Sequence, residues 1–142
     1  MSIRLKYKIL NKLLKNGVKT HSEKIIKKSF KQLQKNSKKK HLEIIKKSFV
    51  NSSPILTIKK IKRKKKQIKE FPYILKKQIR LFFGLKFMLN ELKKSKSNKS
   101  FHNNFSEEIL LTSQNKGNTV KLKKDLYEQS FQKKKYANFR WF

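Results

Sequence analysis

Cysteine is absent from the 142-residue sequence, which rules out a disulfide framework, a thiolate metal site and a thiol nucleophile. Acidic residues are scarce: Glu23, Glu43, Glu70, Glu91, Glu107, Glu108, Asp125 and Glu128 are all there are. So few carboxylates exclude a carboxylate-rich catalytic or cation site. Long apolar runs are also missing. The densest apolar stretch, Ile74 to Leu92, is interrupted by Lys76, Lys77, Arg80 and Lys86, which the hydrocarbon core of a bilayer rejects. No membrane partner is therefore expected. Ala137 is the only Ala, and there are three Gly and two Pro.

What the chain has instead is positive charge. Forty Lys and Arg give a formal net charge of +32 and a pI near 10.5. A compact body with that charge repels itself unless a polyanion neutralises it. The basic residues run from Arg4 to Arg140, so the whole body faces the partner, and a polyphosphate fits. Only Arg4, Arg63, Arg80 and Arg140 are Arg, leaving 36 Lys. Lys, Asn, Ile and Phe use AT-rich codons, whereas Ala, Gly and Pro need GC-rich ones. A strongly AT-biased coding sequence follows, of the kind found in organelle genomes, AT-rich bacteria and some protist nuclei. Hydrophobic residues make up 36% of the chain, but they are large and include eleven Phe, enough for one small core and not for two.

Periodicity organises the chain. Ile9, Leu10, Leu13 and Leu14 form a helical stripe that stops at Asn16-Gly17, a plausible C-cap. Ile25, Ile26, Ser29, Phe30 and Leu33 form a second, followed by a polar run, Gln34 to Lys40, that reads as a loop. Leu42, Ile45 and Phe49 mark a short third helix closed by Asn51-Ser-Ser-Pro54. The period then changes to that of strands. Ile55 to Ile61 and Gln67 to Ile74 read as a basic β-ribbon around Lys62 to Lys66, with Pro72 near the end of the second strand. A long helix follows, with Leu75, Ile79, Phe82, Leu85, Leu89 and Leu92 on one face; Phe82, Phe83 and Phe87 read as core at that spacing. Lys93 to Lys99 is a solvated loop. Ser100 is placed to cap a helix carrying Phe101, Phe105 and Ile109 and ending at Gly117. A last helix is expected over Lys123 to Ala137, with Asp125 in its first turn. The expected fold is mainly α: a single domain over residues 1–142, with five to six helices and a protruding basic β-hairpin (about residues 55–74) between helices three and four.

No catalytic set converges, so an enzyme is not expected. His21, His41 and His102 lack the spacing or partners of a metal site, and no metal or cofactor is expected. Thr20, Ser22 and Glu23 have the chemistry of a helix start, and Gly17 and Gly117 belong to no phosphate-cradling motif.

Four segments, in order, resemble the small ribosomal subunit protein seven family. The first is NKLLKNGVKTHSEKII, Asn11 to Ile26, where Gly17, Lys19, Thr20, Ser22 and Glu23 match a Gly turn opening helix two. The second is NSSPILTIKKIKRKKKQIKEFPYIL, similar to a Pro-led basic hairpin at Pro54, Ile58, Lys59, Lys60, Lys62 and Pro72. The third is GLKFM, Gly84 to Met88, with Phe87 where the family has Trp. The fourth runs without a gap from Ser100 to Trp141. It places Glu108, Ile109 and Leu110 on the family's Glu-Leu-Leu, and Gly117, Val120 and Lys121 on its Gly-x-x-Val-Lys turn. Asp125 falls on a lone Asp, and Tyr136, Ala137, Asn138, Phe139, Arg140 and Trp141 on its aromatic terminus. Two departures stand out. The N-terminal arm (residues 1–8) is short, and Lys64-Lys65 occupy the hairpin tip where the family has paired Gly. The first 22 residues are basic, acid-free and amphipathic, like a mitochondrial transit peptide, but the family-like region begins within them.

The resemblance implies a structural constituent of the small ribosomal subunit, a primary binder of its ribosomal RNA that nucleates assembly of the head and serves translation. It implies a hairpin near the exit-site tRNA and mRNA, with small-subunit proteins nine and eleven as neighbours. With the codon bias, it implies an organelle-encoded protein of the mitochondrion (matrix, mitochondrial ribosome), the alternative being a plastid. The expected RNA-binding residues on the hairpin are Lys59, Lys60, Lys62, Arg63, Lys64, Lys65, Lys66 and Lys69. Beyond it they are Lys19, Lys76, Lys77, Arg80, Lys121, Lys123 and Lys124, with Arg140 and Trp141 at the C-terminus. Lys is a point charge suited to phosphate, so recognition is expected to be of backbone and shape. Two other readings share the charge. A nucleoid-type protein needs no particular order of helices and ribbon and should bind duplex DNA as tightly as RNA. A membrane-surface protein needs one continuous amphipathic helix, whereas here apolar stripes alternate with turns.

Overall fold

The computed structural model describes residues 3–14, 16–37, 41–62, 68–94 and 100–138. Six helices and one antiparallel hairpin follow in order. Helix α1 spans Ile3–Leu13, α2 Lys19–Ser37 and α3 His41–Ser52. Strands β1 (Leu56–Lys62) and β2 (Ile68–Ile74) come next, then α4 (Lys77–Lys94), α5 (Phe101–Ser113) and α6 (Asn118–Gln132). A 3-10 turn, Lys134–Tyr136, follows α6. This is the mainly helical architecture expected, with the ribbon between the third and fourth helices.

One apolar cluster joins five of the helices. Ile9 and Leu10 of α1, Ile26 and Leu33 of α2, and Ile45 and Phe49 of α3 meet Leu85, Met88, Leu89 and Leu92 of α4 and Phe105 and Ile109 of α5. Each helix contributes residues spaced three or four apart, the periodicity of a single buried stripe. The α3–α4 crossing is close because Gly84 has no side chain: a Cβ there would stand 2.8 Å from Ser52 Oγ and 3.2 Å from the Ser53 backbone nitrogen.

With a single Ala in the chain, Ser and Thr fill the small buried positions: Ser22, Ser29, Ser48, Ser52, Ser106, Thr112, Ser113, Thr119 and Ser130. A buried hydroxyl is costly unless bonded. Most are bonded within their own helix: Ser29 Oγ donates to the Ile25 carbonyl at 2.9 Å, Ser106 Oγ to Asn103 at 2.8 Å and Ser130 Oγ to Leu126 at 2.7 Å. Ser48 Oγ has no partner among the described residues.

Several boundaries differ from the sequence reading, each for a local reason. Asn16 and Gly17 do take left-handed φ of 51° and 73° after α1. Helix α2 begins at Lys19, ahead of the Ser22–Glu23 pair, and continues to Ser37 instead of yielding to a loop at Gln34. Gln and Lys are good helix formers, and without Gly or Pro a polar run need not stop a helix. Lys38 to Lys40 lie outside the described residues. Helix α3 includes Asn51 and Ser52, which were expected to close it.

Helix α5 ends at Ser113, not at Gly117. Asn115, with φ 58°, takes the left-handed position. The Lys116 N–H donates to the Leu111 carbonyl at 2.9 Å and the Asn115 N–H to Thr112 at 3.1 Å, which is a Schellman closure. Gly117, at φ 96°, instead precedes α6. Ser100 sits at the N-cap of α5 without a capping side-chain bond. Helix α6 therefore starts at Asn118, with Thr119 and Val120 buried, five residues before the expected start. Asp125 lies mid-helix and the helix stops at Gln132. Its first turn is capped from outside: Glu108 Oε1 of α5 accepts from the Thr119 backbone N–H at 3.3 Å and from the Thr119 hydroxyl.

The buried face of α4 is Gly84, Leu85, Met88, Leu89 and Leu92. Ile79 and Phe82 are exposed at 41% and 43%, so Phe82 is not core as expected, while Phe83 and Phe87 are half-buried. Apolar residues surround much of this helix, and periodicity alone did not choose the face. Ser95 to Lys99 of the expected loop lie outside the described residues, and Lys93 and Lys94 are the last residues of α4.

The unpartnered Ser48 hydroxyl gives a direct check on this packing. Ser48→Ala removes an unsatisfied buried group and should raise stability by about 1 kcal/mol. Ser29→Ala, which deletes a made bond, should not. Thermal or urea denaturation of both variants measures the difference, and a destabilised Ser48→Ala contradicts the account.

Candidate nucleic-acid interface

The hairpin is a two-stranded antiparallel sheet in the register Leu56↔Ile74 to Lys62↔Ile68. Its base is tied to the helices. The Leu75 N–H donates to the Ile55 carbonyl at 2.9 Å, and the Ile55 N–H donates to the Tyr127 hydroxyl of α6 at 2.9 Å. Buried Phe71 packs edge-on against Tyr136, with ring centroids 5.5 Å apart. Pro72, opposite Ile58, is tolerated because a two-stranded sheet has only edge strands.

The described residues sort the expected RNA-binding cations into groups. On the strands, Lys59 and Lys60 are exposed and Lys69 is half-buried. Lys60 Nζ lies 2.8 Å from Glu70 Oε1, and the other oxygen of Glu70 pairs with Lys133. Lys60 remains 69% exposed, and an exposed ion pair contributes only about 0–1 kcal/mol, so this contact does not withhold it from a phosphate. At the start of α4, Lys76 and Lys77 are exposed, and no acid lies in the first turn of this 18-residue helix. The helix N-terminus adds its own positive end there. Arg80, half-buried, donates through Nε to the Leu75 carbonyl at 2.9 Å, bracing the strand-to-helix junction. Lys19 is exposed at the first residue of α2, and Lys121 and Lys124 are exposed one turn apart on α6.

Lys123 points the other way. Its Nζ donates to the Asn51 carbonyl at 2.8 Å and lies 5.8 Å from the Tyr127 ring centroid. Burial pushes its pKa below the ordinary lysine value. Asn51 in turn donates through Nδ2 to the Thr112 carbonyl at 2.9 Å and to Ser113 at 3.2 Å. Lys123 and Asn51 thus join the ends of α3 and α5 to α6. Arg63, Lys64, Lys65, Lys66, Arg140 and Trp141 lie outside the described residues, as does the side chain of Lys62.

The structure adds a feature the sequence reading missed. A groove of about 620 Å³ runs between α1 and α4, lined by Lys8, Asn11, Lys12, Gln78, Ile79 and Phe82 among others. Lys8 Nζ reaches the Gln78 carbonyl at 3.4 Å, and Lys12 Nζ lies 3.9 Å from the Phe82 ring centroid. Gln78 follows Lys76 and Lys77 directly, so the cations at the base of the hairpin lead into the groove. Lys12 lies over one face of the partly exposed Phe82 ring, so the groove combines ammonium groups with aromatic surface, a pairing suited to a nucleic-acid backbone and its bases. The four-residue spacing of Lys8 and Lys12 was visible in the sequence; the adjacency of α1 and α4 is tertiary and was not.

Among the described residues no cluster of His, Cys, Asp or Glu is arranged to hold a metal ion, and no helix is long and apolar enough to cross a membrane.

Comparison with known proteins gives a consistent picture. The family model for ribosomal protein S7p/S5e matches residues 2–134. Small ribosomal subunit protein uS7 of Anaeromyxobacter sp. (strain Fw109-5) is 26% identical over 138 residues, covering 97% of this chain and 87% of that protein. The protein of the same name from Acidithiobacillus ferrooxidans is 26% identical over 134 residues (94% and 85%). Small ribosomal subunit protein uS7c of Euglena gracilis is 28% identical over 134 residues (94% and 85%).

The two faces of α6 separate in a mutational test. Lys123→Ala leaves the Asn51 carbonyl without its donor and should lower stability by about 1–2 kcal/mol, with RNA affinity of the folded protein within about two-fold of parental. Paired melting curves and filter binding report both quantities. Full stability with a tenfold loss of affinity would reassign Lys123 to the RNA.

Proposed function

The chain belongs to the ribosomal protein S7p/S5e family, and on that premise we propose that it is a structural, non-enzymatic constituent of a small ribosomal subunit that binds ribosomal RNA through its basic hairpin and helical body. The observation that carries this reading is the run of cations from the hairpin strands through Lys76 and Lys77 into the α1–α4 groove. Phosphates meet the exposed Lys, and the Phe82 ring, with Lys12 over one face, adds aromatic surface inside the groove. The protein acts as one domain over residues 1–142, binds its RNA as a primary binder and nucleates assembly of the head.

The hairpin extends from the helical body on strands tied to α6 and its end by Tyr127, Tyr136 and the Glu70–Lys133 ion pair. It reaches toward the exit-site tRNA and mRNA, and the neighbours are small-subunit proteins nine and eleven. Lys64 and Lys65, in place of paired Gly, exchange close backbone approach for attraction at the reach of extended side chains. The AT-biased composition supports an organelle-encoded protein of a mitochondrial ribosome, with a plastid ribosome as the second reading.

Binding to the small-subunit ribosomal RNA should be dominated by counterion release. With on the order of ten phosphates neutralised, log K falls against log salt with a slope of about −7 to −9. Replacing Lys59, Lys76 and Lys77 by Gln should make the slope shallower by roughly 2 to 3. A parental slope shallower than about −3 would mean that shape or stacking carries the affinity. Equal affinity for duplex DNA at matched salt would favour the nucleoid reading.

A further inference from the structure

A second basic concavity lies on elements that do not touch the hairpin. Helix α2 packs against α1, α3 and α5, and among the described residues its backbone does not come close to β1, β2 or α6. Between α2 and α5 lies a cleft of about 310 Å³ lined by Lys28, Lys31, Gln32, Lys35, Asn36 and His102. This is the lower end of the size range of ligand clefts, roughly 300–1,000 Å³. Lys24, Lys28, Lys31 and Lys35 follow one another at steps of four, three and four residues along α2. They form one stripe, with successive side chains about 5–6 Å apart.

The arrangement is unfavourable for the protein alone. Like charges at these spacings destabilise a helix, and no carboxylate lines the cleft. Lys28, Lys31 and Lys35 are exposed and have no ion-pair partner among the described residues. The other lining groups are hydrogen-bonding side chains: the amides of Gln32 and Asn36, and the His102 ring, which sits 3.3 Å from Ser100 Oγ. Three ammonium groups in a row beside amide donors match a chain of phosphates, with the amides free to bond phosphate or sugar oxygens. With almost no Arg on this face, planar base recognition is not its chemistry.

We propose that the α2–α5 cleft is a separate site for an RNA sugar–phosphate backbone, distinct from the hairpin and the α1–α4 groove. The site stands on its own residues and holds whether or not the hairpin side performs as described above.

Lysine acetylation of the full chain, read residue by residue by mass spectrometry, tests both surfaces in one experiment. The probes are the small-subunit ribosomal RNA and, separately, inorganic phosphate at the same phosphate concentration; Lys46, exposed on α3, is the reference. With RNA, Lys28, Lys31 and Lys35 should be acetylated about five-fold more slowly than in the free protein, with Lys46 little changed and inorganic phosphate without effect. The variant K28Q/K31Q/K35Q should make the salt slope of RNA binding shallower by roughly 2 to 3, while Lys76 and Lys77 stay protected. Unprotected Lys28, Lys31 and Lys35 beside protected Lys76 and Lys77 would overturn the cleft site and leave the hairpin-side reading intact. The converse pattern would overturn the hairpin-side reading alone. Equal protection of Lys46 would reduce the effect to a diffuse counterion cloud, and equal protection by inorganic phosphate to a small-anion site; either overturns the proposal.

Discussion

Electrostatic self-repulsion is the constraint around which this molecule is arranged. A net charge of +32 on 142 residues opposes every compact state of the chain, and one apolar cluster drawn from α1 to α5 has to hold against it. The acids do little to relieve that field as a whole, because those with described contacts serve local joints. Glu70 draws Lys60 and Lys133 together where the hairpin meets the end of α6. Glu91 pairs with Lys94 one turn away. Glu108 caps the first turn of α6 through Thr119. The remaining neutralisation has to come from outside, and a polyphosphate is the chemistry that would supply it at high density.

A second constraint is the near absence of Ala. Helices that cross closely need small side chains, and here Ser and Thr provide them. A hydroxyl brings a polar atom into the core, and most such positions use a backbone carbonyl of their own helix to accept its proton. Ser29, Ser52, Ser106, Ser113 and Ser130 all do this. Gly84 serves the same end at the α3–α4 crossing, where even a methyl group would meet Ser52 and Ser53. The composition that signals an AT-biased coding sequence thus has a structural counterpart in the way the helices pack.

Much of the fold was legible in the sequence because the apolar periods were clean where one face alone is buried. Ile9-Leu10, Ile26-Leu33, Ile45-Phe49 and Phe105-Ile109 all fall in the core as their spacing required. Legibility failed where the signal was compositional or ambiguous. The polar run after Leu33 continued as helix, and α5 closed on left-handed Asn115 instead of running on to Gly117. Helix α4 has apolar residues around most of its circumference, so its period did not separate Leu81, packed on the core, from Phe82, beside Lys12. At the candidate interface, charge runs singled out Lys59, Lys60, Lys76 and Lys77, all of which are exposed. They did not tell Lys123, held by Asn51, from its exposed neighbour Lys124, because side-chain direction on a helix is decided by what packs beside it. The α1–α4 groove and the α2–α5 cleft are both made by helices distant in sequence, and no local pattern announces such a pairing.

If charge repulsion governs the whole, the free chain should be held together by counterions. Thermal melting followed by circular dichroism, at about 10 mM salt without RNA and then with added salt or small-subunit ribosomal RNA, measures this directly. The account predicts a broad, weakly cooperative transition in the first condition that sharpens and moves to higher temperature as salt or RNA is supplied. A sharp cooperative melt at low salt without RNA, unmoved by either addition, would contradict it.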